Sequence, residues 1–170
     1  MDVLVATDGS MDAHKAAQYA AALAGPEGKI SVVTVVRVPR TLVADLRSRF
    51  GETPPALVDI DAEYVGPTVV DGSAPQGWPG DDAVVAQYLG DKRIERCRPI
   101  VEAIRAAGGT AESTVKEGDD AEAEIVSMAT QLSVGAIVVG SHGRGAFQGL
   151  LGSTGAKVAR RAPCPVLVLR

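Results

Sequence analysis

Gly140, Ser141, His142, Gly143, Arg144 and Gly145 form one short polar run, and Gly152, Ser153, Thr154 and Gly155 form a second. The first follows a wholly apolar stretch, residues 136–139, and the second opens a stretch with helical patterning. A loop leading from a buried strand into a helix N-terminus presents free backbone N–H groups, and the helix dipole there favours an anion. Glycine lets the backbone approach phosphate oxygens with no Cβ in the way. Ser153 and Thr154 add hydroxyl donors. Phosphate binding is the chemistry this pattern suits; the plainer alternative is a glycine-rich connector in which Ser153 is an ordinary N-cap. A P-loop is excluded, because Lys157 is preceded by Ala156 and followed by Val158, where GxxxxGK[ST] needs Gly and Ser or Thr. The dinucleotide fingerprint GxGxxG fails as well: started at Gly143 and Gly145, it meets Gln148 at its third glycine.

A second polar cluster, Thr7, Asp8, Gly9 and Ser10, ends the first apolar run of Val3, Leu4, Val5 and Ala6. A carboxylate at Asp8 accepts two hydroxyl hydrogen bonds, which suits a ribose. It suits equally an Asx-turn at the first strand–helix corner. Ser141 beside His142 does not make a hydrolase: neighbours in sequence rarely face each other as nucleophile and base, and GxSxG is absent. No catalytic residue is therefore assigned. Cys97 and Cys164 are the only cysteines, and His14 and His142 the only histidines. No zinc site can be assembled from Cys and His alone. His14 reads as a solvated helix residue, Cys97 as core, and Cys164, between two prolines, as a small packing residue.

These clusters need a scaffold that brings residues 7–10 and 140–155 to one edge. Ala13, Ala16, Ala17, Ala20 and Ala24 share one helical face, and Gly25-Pro26 ends that helix. Residues 30–38 are rich in β-branched side chains and read as a second strand. Residues 39–81 break the rhythm with Pro54-Pro55, Gly66-Pro67 and the glycines between 72 and 80. A brief helix over 41–49 fits; residues 51–81 read as a long loop and as the least ordered part of the chain. Helical patterning returns over 82–107, with Ile94, Cys97, Val101 and Ile104 on one stripe and Pro99 expected to kink or split it. Residues 110–115 form a third strand, and Ala121, Ile125, Met128, Ala129 and Leu132 the apolar stripe of a further helix. Residues 136–139 make a fourth strand buried on both faces, residues 153–162 a short helix, and residues 164–169 a fifth strand. Strands alternating with helices predict an α/β fold: a Rossmann-like open five-stranded parallel sheet, helices on both faces, right-handed crossovers. In such sheets ligands sit beyond the carboxyl ends of the strands, where strand order reverses. Both polar clusters fall at that end.

The 170 residues carry a formal net charge of −4, and the tightest basic group is Lys157, Arg160 and Arg161. That is too little for a polyanion track, so nucleic acid is not an expected partner. No run approaches the length needed to cross a bilayer, and the opening residues do not pattern as a signal peptide. With two isolated cysteines, this predicts a cytoplasmic chain with reduced thiols. Length predicts a single domain over 1–170, with a long insertion at about 39–81.

Taken together, these residues resemble the universal stress protein family. That family's pattern is Gly, two residues, Gly, nine residues, Gly, then Ser or Thr. Gly140, Gly143, Gly152 and Ser153 follow it, with eight residues between Gly143 and Gly152. The missing residue shortens the loop's reach by up to about 3.5 Å. The flanks are similar too: Val138-Val139-Gly140-Ser141-His142-Gly143, the tail Ala162-Pro163-Cys164-Pro165-Val166-Leu167-Val168, the opening residues 3–10, and Gly118 after the third strand. The resemblance covers the chain apart from residues 39–81. It implies strand order 3-2-1-4-5 and an ATP ligand with accompanying Mg2+. Its phosphates would lie on Gly140, Gly143, Gly152, Ser153 and Thr154, its ribose on Asp8, and its adenine against the backbone of Val35, with His142 a further nucleotide-binding residue. It also implies a homodimer through residues 164–169 and the role of a nucleotide-dependent stress-response module. Slow ATP hydrolysis or self-phosphorylation is compatible with the family, although no general base stands at suitable spacing. Members lacking a competent loop act without ATP, so a dimeric, ATP-independent interaction protein is the alternative the shortened loop favours. A third reading is a hydrolase or transferase of the wider adenine nucleotide alpha hydrolase-like superfamily, which needs further charged groups at the cleft.

Overall fold

The computed structural model describes residues 1–39, 41–49, 80–141 and 153–170. Five strands form one parallel sheet: β1 Val3–Ala6, β2 Ile30–Val36, β3 Ala111–Glu117, β4 Ala136–Gly140 and β5 Val166–Leu169. Their order is β3-β2-β1-β4-β5. The helices are α1 Ala13–Ala24, α2 Leu42–Arg49, α3 Asp81–Ala106, α4 Ala121–Gln131 and α5 Ser153–Arg161. β1 pairs with β2 on one side and β4 on the other: Val5 stands beside both Val32 and Val138. The chain winds outward from β1 through β2 to β3, then returns to the far side of β1. The β1–β4 boundary is therefore the point where strand order reverses.

Alternate strand residues point to opposite faces, and each face has its own core. Val3, Val5, Val32 and Val138 meet the alanine face of α1 (Ala16, Ala17, Ala20, Ala24) and Cys97, Ile100, Val101 and Ile104 of α3. Leu4, Ala6, Val33, Ile137 and Val139 meet Ile125, Met128 and Ala129 of α4 and Val158 of α5. A smaller cluster of Val36, Leu42, Val84 and Tyr88 joins the end of β2 to α2 and the first turns of α3. Side-chain caps start two helices: Asp12 accepts from Lys15 N at 2.9 Å, and Asp120 accepts from the N–H groups of Glu122 and Ala123.

Several boundaries differ from the sequence expectation. β5 starts at Val166 and not at residue 164, because Pro165 has no N–H for the ladder; its carbonyl still accepts from Ile137 N at 2.9 Å. β3 and β4 run on to Glu117 and Gly140. α3 is not split at Pro99; it continues through that exposed residue as one 26-residue helix. Ile94 and Leu132, expected on apolar stripes, are 48% and 44% exposed. N-terminal to Ile94 the covered side of α3 is carried by Val84 and Tyr88, and Leu132 is already the C-cap of α4. The long loop expected over 51–81 lies, as far as residue 79, outside the described residues; Asp81 already belongs to α3.

Candidate ligand site at the carboxyl edge of the sheet

β1 ends in a tight polar turn. Thr7 N donates to Val33 O at 2.9 Å, the last rung between β1 and β2, and Gly9 N then turns back to Thr7 Oγ1 at 2.9 Å. Asp8 Oδ1 accepts from Ser10 N at 3.0 Å and from Ser10 Oγ at 2.6 Å. This is the Asx-turn weighed against ribose binding, and it leaves the half-buried Asp8 at the carboxyl end of β1. Gly9 has φ of 89°, a conformation that favours glycine. A Cβ there would also stand 3.1 Å from Arg96 Cγ, so the turn and α3 pack closely because position 9 has no side chain.

The turn frees an acceptor on β2. Val33 O faces β1 and Val36 O faces β3, where it receives Gly118 N at 3.1 Å. By the two-residue period of a strand, Val35 O faces the β1 side. Its next partner there would be Gly9 N, which Thr7 Oγ1 has taken. The Val35 carbonyl therefore opens into the gap left by the turn of β1. Only Arg96 reaches it among the described residues, through NH1 at a long 3.4 Å. Arg96 Nε is buried without a hydrogen-bond partner, as is Thr34 Oγ1 inside β2. Sequence reasoning missed Arg96; its only mark was its place next to Cys97 on the apolar stripe. Burial pushes the Cys97 thiol up to about 11, with Arg93 and Arg96 pulling the other way. That thiol is inert packing, as expected.

β4 supplies the opposite wall. Gly140 ends the strand beside Leu169, and the buried Ser141 prolongs the ladder by donating its N–H to Leu169 O at 2.6 Å. α5 begins at Ser153 with Thr154 exposed in its first turn. Of the residues expected to hold a ligand, Asp8, Val35 and Gly140 stand at the carboxyl ends of adjacent strands β1, β2 and β4. His142, Gly143 and Gly152 lie outside the described residues. His14 is exposed, as expected. Among the described residues, no cluster of His, Cys, Asp or Glu could hold a metal ion, and no helix is long and apolar enough to cross a membrane.

The sheet order, the helices on both faces and the polar turn at the reversal point define a Rossmann-like α/β protein of the doubly wound class. The profile of the Universal stress protein family matches residues 1–170, and the chain belongs to that family. Among solved structures, the universal stress protein from Archaeoglobus fulgidus in complex with dAMP is 20% identical. The match has a TM-score of 0.59 and covers 100% of this chain and 98% of that one. The universal stress protein UspA from Lactobacillus plantarum is 20% identical at a TM-score of 0.59, covering 100% and 97%. A family protein from Arabidopsis thaliana with AMP bound is 17% identical at a TM-score of 0.55, covering 99% and 90%. At these identities the likeness is one of fold. A search of curated proteins found no significant match.

Proposed function

We propose that this chain is an ATP-binding stress-response module that holds its nucleotide, with Mg2+, at the β1–β4 reversal point. The observation that carries the reading is the convergence of unlike groups on one edge. Val35 offers a carbonyl outside the ladder. Asp8 offers a carboxylate at a tight turn. The start of α5 offers N–H donors and a positive dipole end. In this reading the base meets Val35, the ribose meets Asp8, the phosphates lie against Gly140, Gly143, Gly152, Ser153 and Thr154, and His142 is a further nucleotide-binding residue. The solved relatives with dAMP and AMP support an adenine nucleotide as the ligand class.

The module acts in the cytoplasm as a single domain with an insertion at about 39–81, and pairs with a second copy through the edge strand β5. Val166, Leu167 and Val168 are only partly covered there, and an open edge invites pairing. Light scattering across a micromolar dilution series tests the dimer; a monomer throughout refutes it.

Titration calorimetry with ATP and adenosine tests the site. Asp8→Ala should weaken both ligands alike, because it acts on the sugar. Thr154→Ala should weaken ATP more than adenosine, because it acts on phosphate. No binding of either ligand at millimolar concentration with magnesium refutes the nucleotide reading. The eight-residue interval between Gly143 and Gly152 favours a second reading in that case: a dimeric interaction protein that works without ATP.

A further inference from the structure

Arg96 is a cation at the carboxyl edge with no ion pair among the described residues. Its stem lies against Gly9. Its only hydrogen bond among those residues is the 3.4 Å contact from NH1 to Val35 O, and its Nε is buried and unsatisfied. A buried donor without a partner is destabilising, and a long bond contributes little. The guanidinium is therefore held loosely, over the one β2 carbonyl that the turn of β1 leaves outside the sheet.

We infer that Arg96 is a specificity residue of this site: its guanidinium covers the Val35 carbonyl and sets whether a purine is read by a 6-amino donor or a 6-oxo acceptor. This rests on the nucleotide reading above and deepens it. A base entering the gap at the end of β1 meets an acceptor, Val35 O, screened by donors, the Arg96 N–H groups. The 6-amino group of adenine is itself a donor. It must share Val35 O, through that oxygen's second lone pair, with the Arg96 donors that stand over it, and the two donors crowd each other. A 6-oxopurine presents O6 and N7 as acceptors, the pair that a guanidinium fork matches. Adenine thus competes with Arg96 for Val35 O, while a 6-oxopurine can accept from the guanidinium. Leaving a donor or acceptor unpaired is what separates such ligands.

The test compares AMP with IMP on the full chain by titration calorimetry. Arg96→Met keeps the unbranched stem against Gly9 and removes every donor. It should shift the ratio of the two affinities about tenfold toward AMP. Arg96→Lys keeps a cation without the fork and should shift it less. Circular dichroism and a urea midpoint establish that each variant is folded, and if the Met variant is not, the Lys variant carries the comparison. A ratio unchanged within about twofold in a folded variant, with both nucleotides still bound, overturns the role of Arg96 and leaves the nucleotide reading intact. A shift toward IMP overturns it likewise. Failure of both nucleotides to bind either wild type or variants overturns the nucleotide reading and this inference together.

Discussion

Replacing Pro99 by alanine should stabilise the protein. Pro99 is an exposed residue in the interior of the 26-residue helix α3. It has no N–H to give to the carbonyl four residues back, and its ring crowds that carbonyl. Proline in a helix interior costs about 3 kcal/mol relative to alanine. Alanine also loosens the unfolded chain, which returns about 0.4–1 kcal/mol. No cavity term enters, because the proline faces solvent. The net gain is about 2 kcal/mol, equivalent to a Tm rise of about 4–8 °C for a chain of this size. Thermal melts followed by circular dichroism measure it, and urea titrations should show a higher midpoint at unchanged slope. An unchanged or lower Tm would refute the reasoning. It would mean that the path of α3 over the sheet depends on the proline, so that Cys97, Ile100, Val101 and Ile104 lose more packing than the helix gains.

The two thiols should separate by reactivity. Cys97 is fully buried with its pKa pushed up to about 11 by burial, whereas Cys164 is half-buried and raised less far by the same cause. Native protein near neutral pH should take one alkyl label, at Cys164, by mass spectrometry, and a second only on unfolding. The ion pair between α4 and α5 should respond asymmetrically: Glu122 is 4% exposed, while Arg161, which reaches both its oxygens from NH1 at 3.0 and 3.2 Å, is 69% exposed. Arg161→Met strands a buried carboxylate and should cost about 1–2 kcal/mol, less than a fully enclosed pair because water can reach the gap. Glu122→Met leaves an arginine that solvates freely, and its urea midpoint should fall less. Asp12, the N-cap of α1, has its carboxyl held below the ordinary 3.8, first by the N–H of Lys15. A lowered folded value means a contribution present above 3.8 and lost as pH falls through the folded value. Asp12→Asn keeps the cap and should lose that part of the acid dependence in melts below pH 4.

The fold was legible because four of the five strands are short, apolar and rich in β-branched residues, and the helices between them carry alanine or mixed stripes. The periods of two and near four are local quantities that a sequence displays directly. The misreadings at Ile94 and Leu132 share one cause. A stripe says which face of a helix is apolar, and not how far along the helix something stands to cover it. The split at Pro99 does not occur, because packing of the neighbouring turns outweighs the local cost. At the site, Asp8 was found from its position at the end of an apolar run. Both of its candidate roles were foreseen, and the Asx-turn is present. Val35 came from the resemblance alone. The physical reason for it, a carbonyl dropped from the ladder because Gly9 N turns to Thr7, needs the register of two strands far apart in sequence. Arg96 needs three-dimensional knowledge of the same kind, and so does the burial of Glu122, which lies in the first turn of a helix where acids are ordinarily solvated.

α3 is longer than the sheet it covers. Its 26 residues extend about 39 Å, while the seven residues of β2 or β3 extend about 23 Å. The C-terminal half is locked into the larger core. The overhanging N-terminal half rests on Val84 and Tyr88 against Val36 and Leu42, and on the ion pair between Arg47 and Asp81. One continuous helix thus contains two segments of unequal tenacity. Amide protons of the overhang should exchange by local fraying, and those over the sheet only when the whole domain opens. Arg96 sits where the two regimes meet, so unwinding a few turns of α3 would slacken its hold on the Val35 carbonyl while the sheet beneath stays folded.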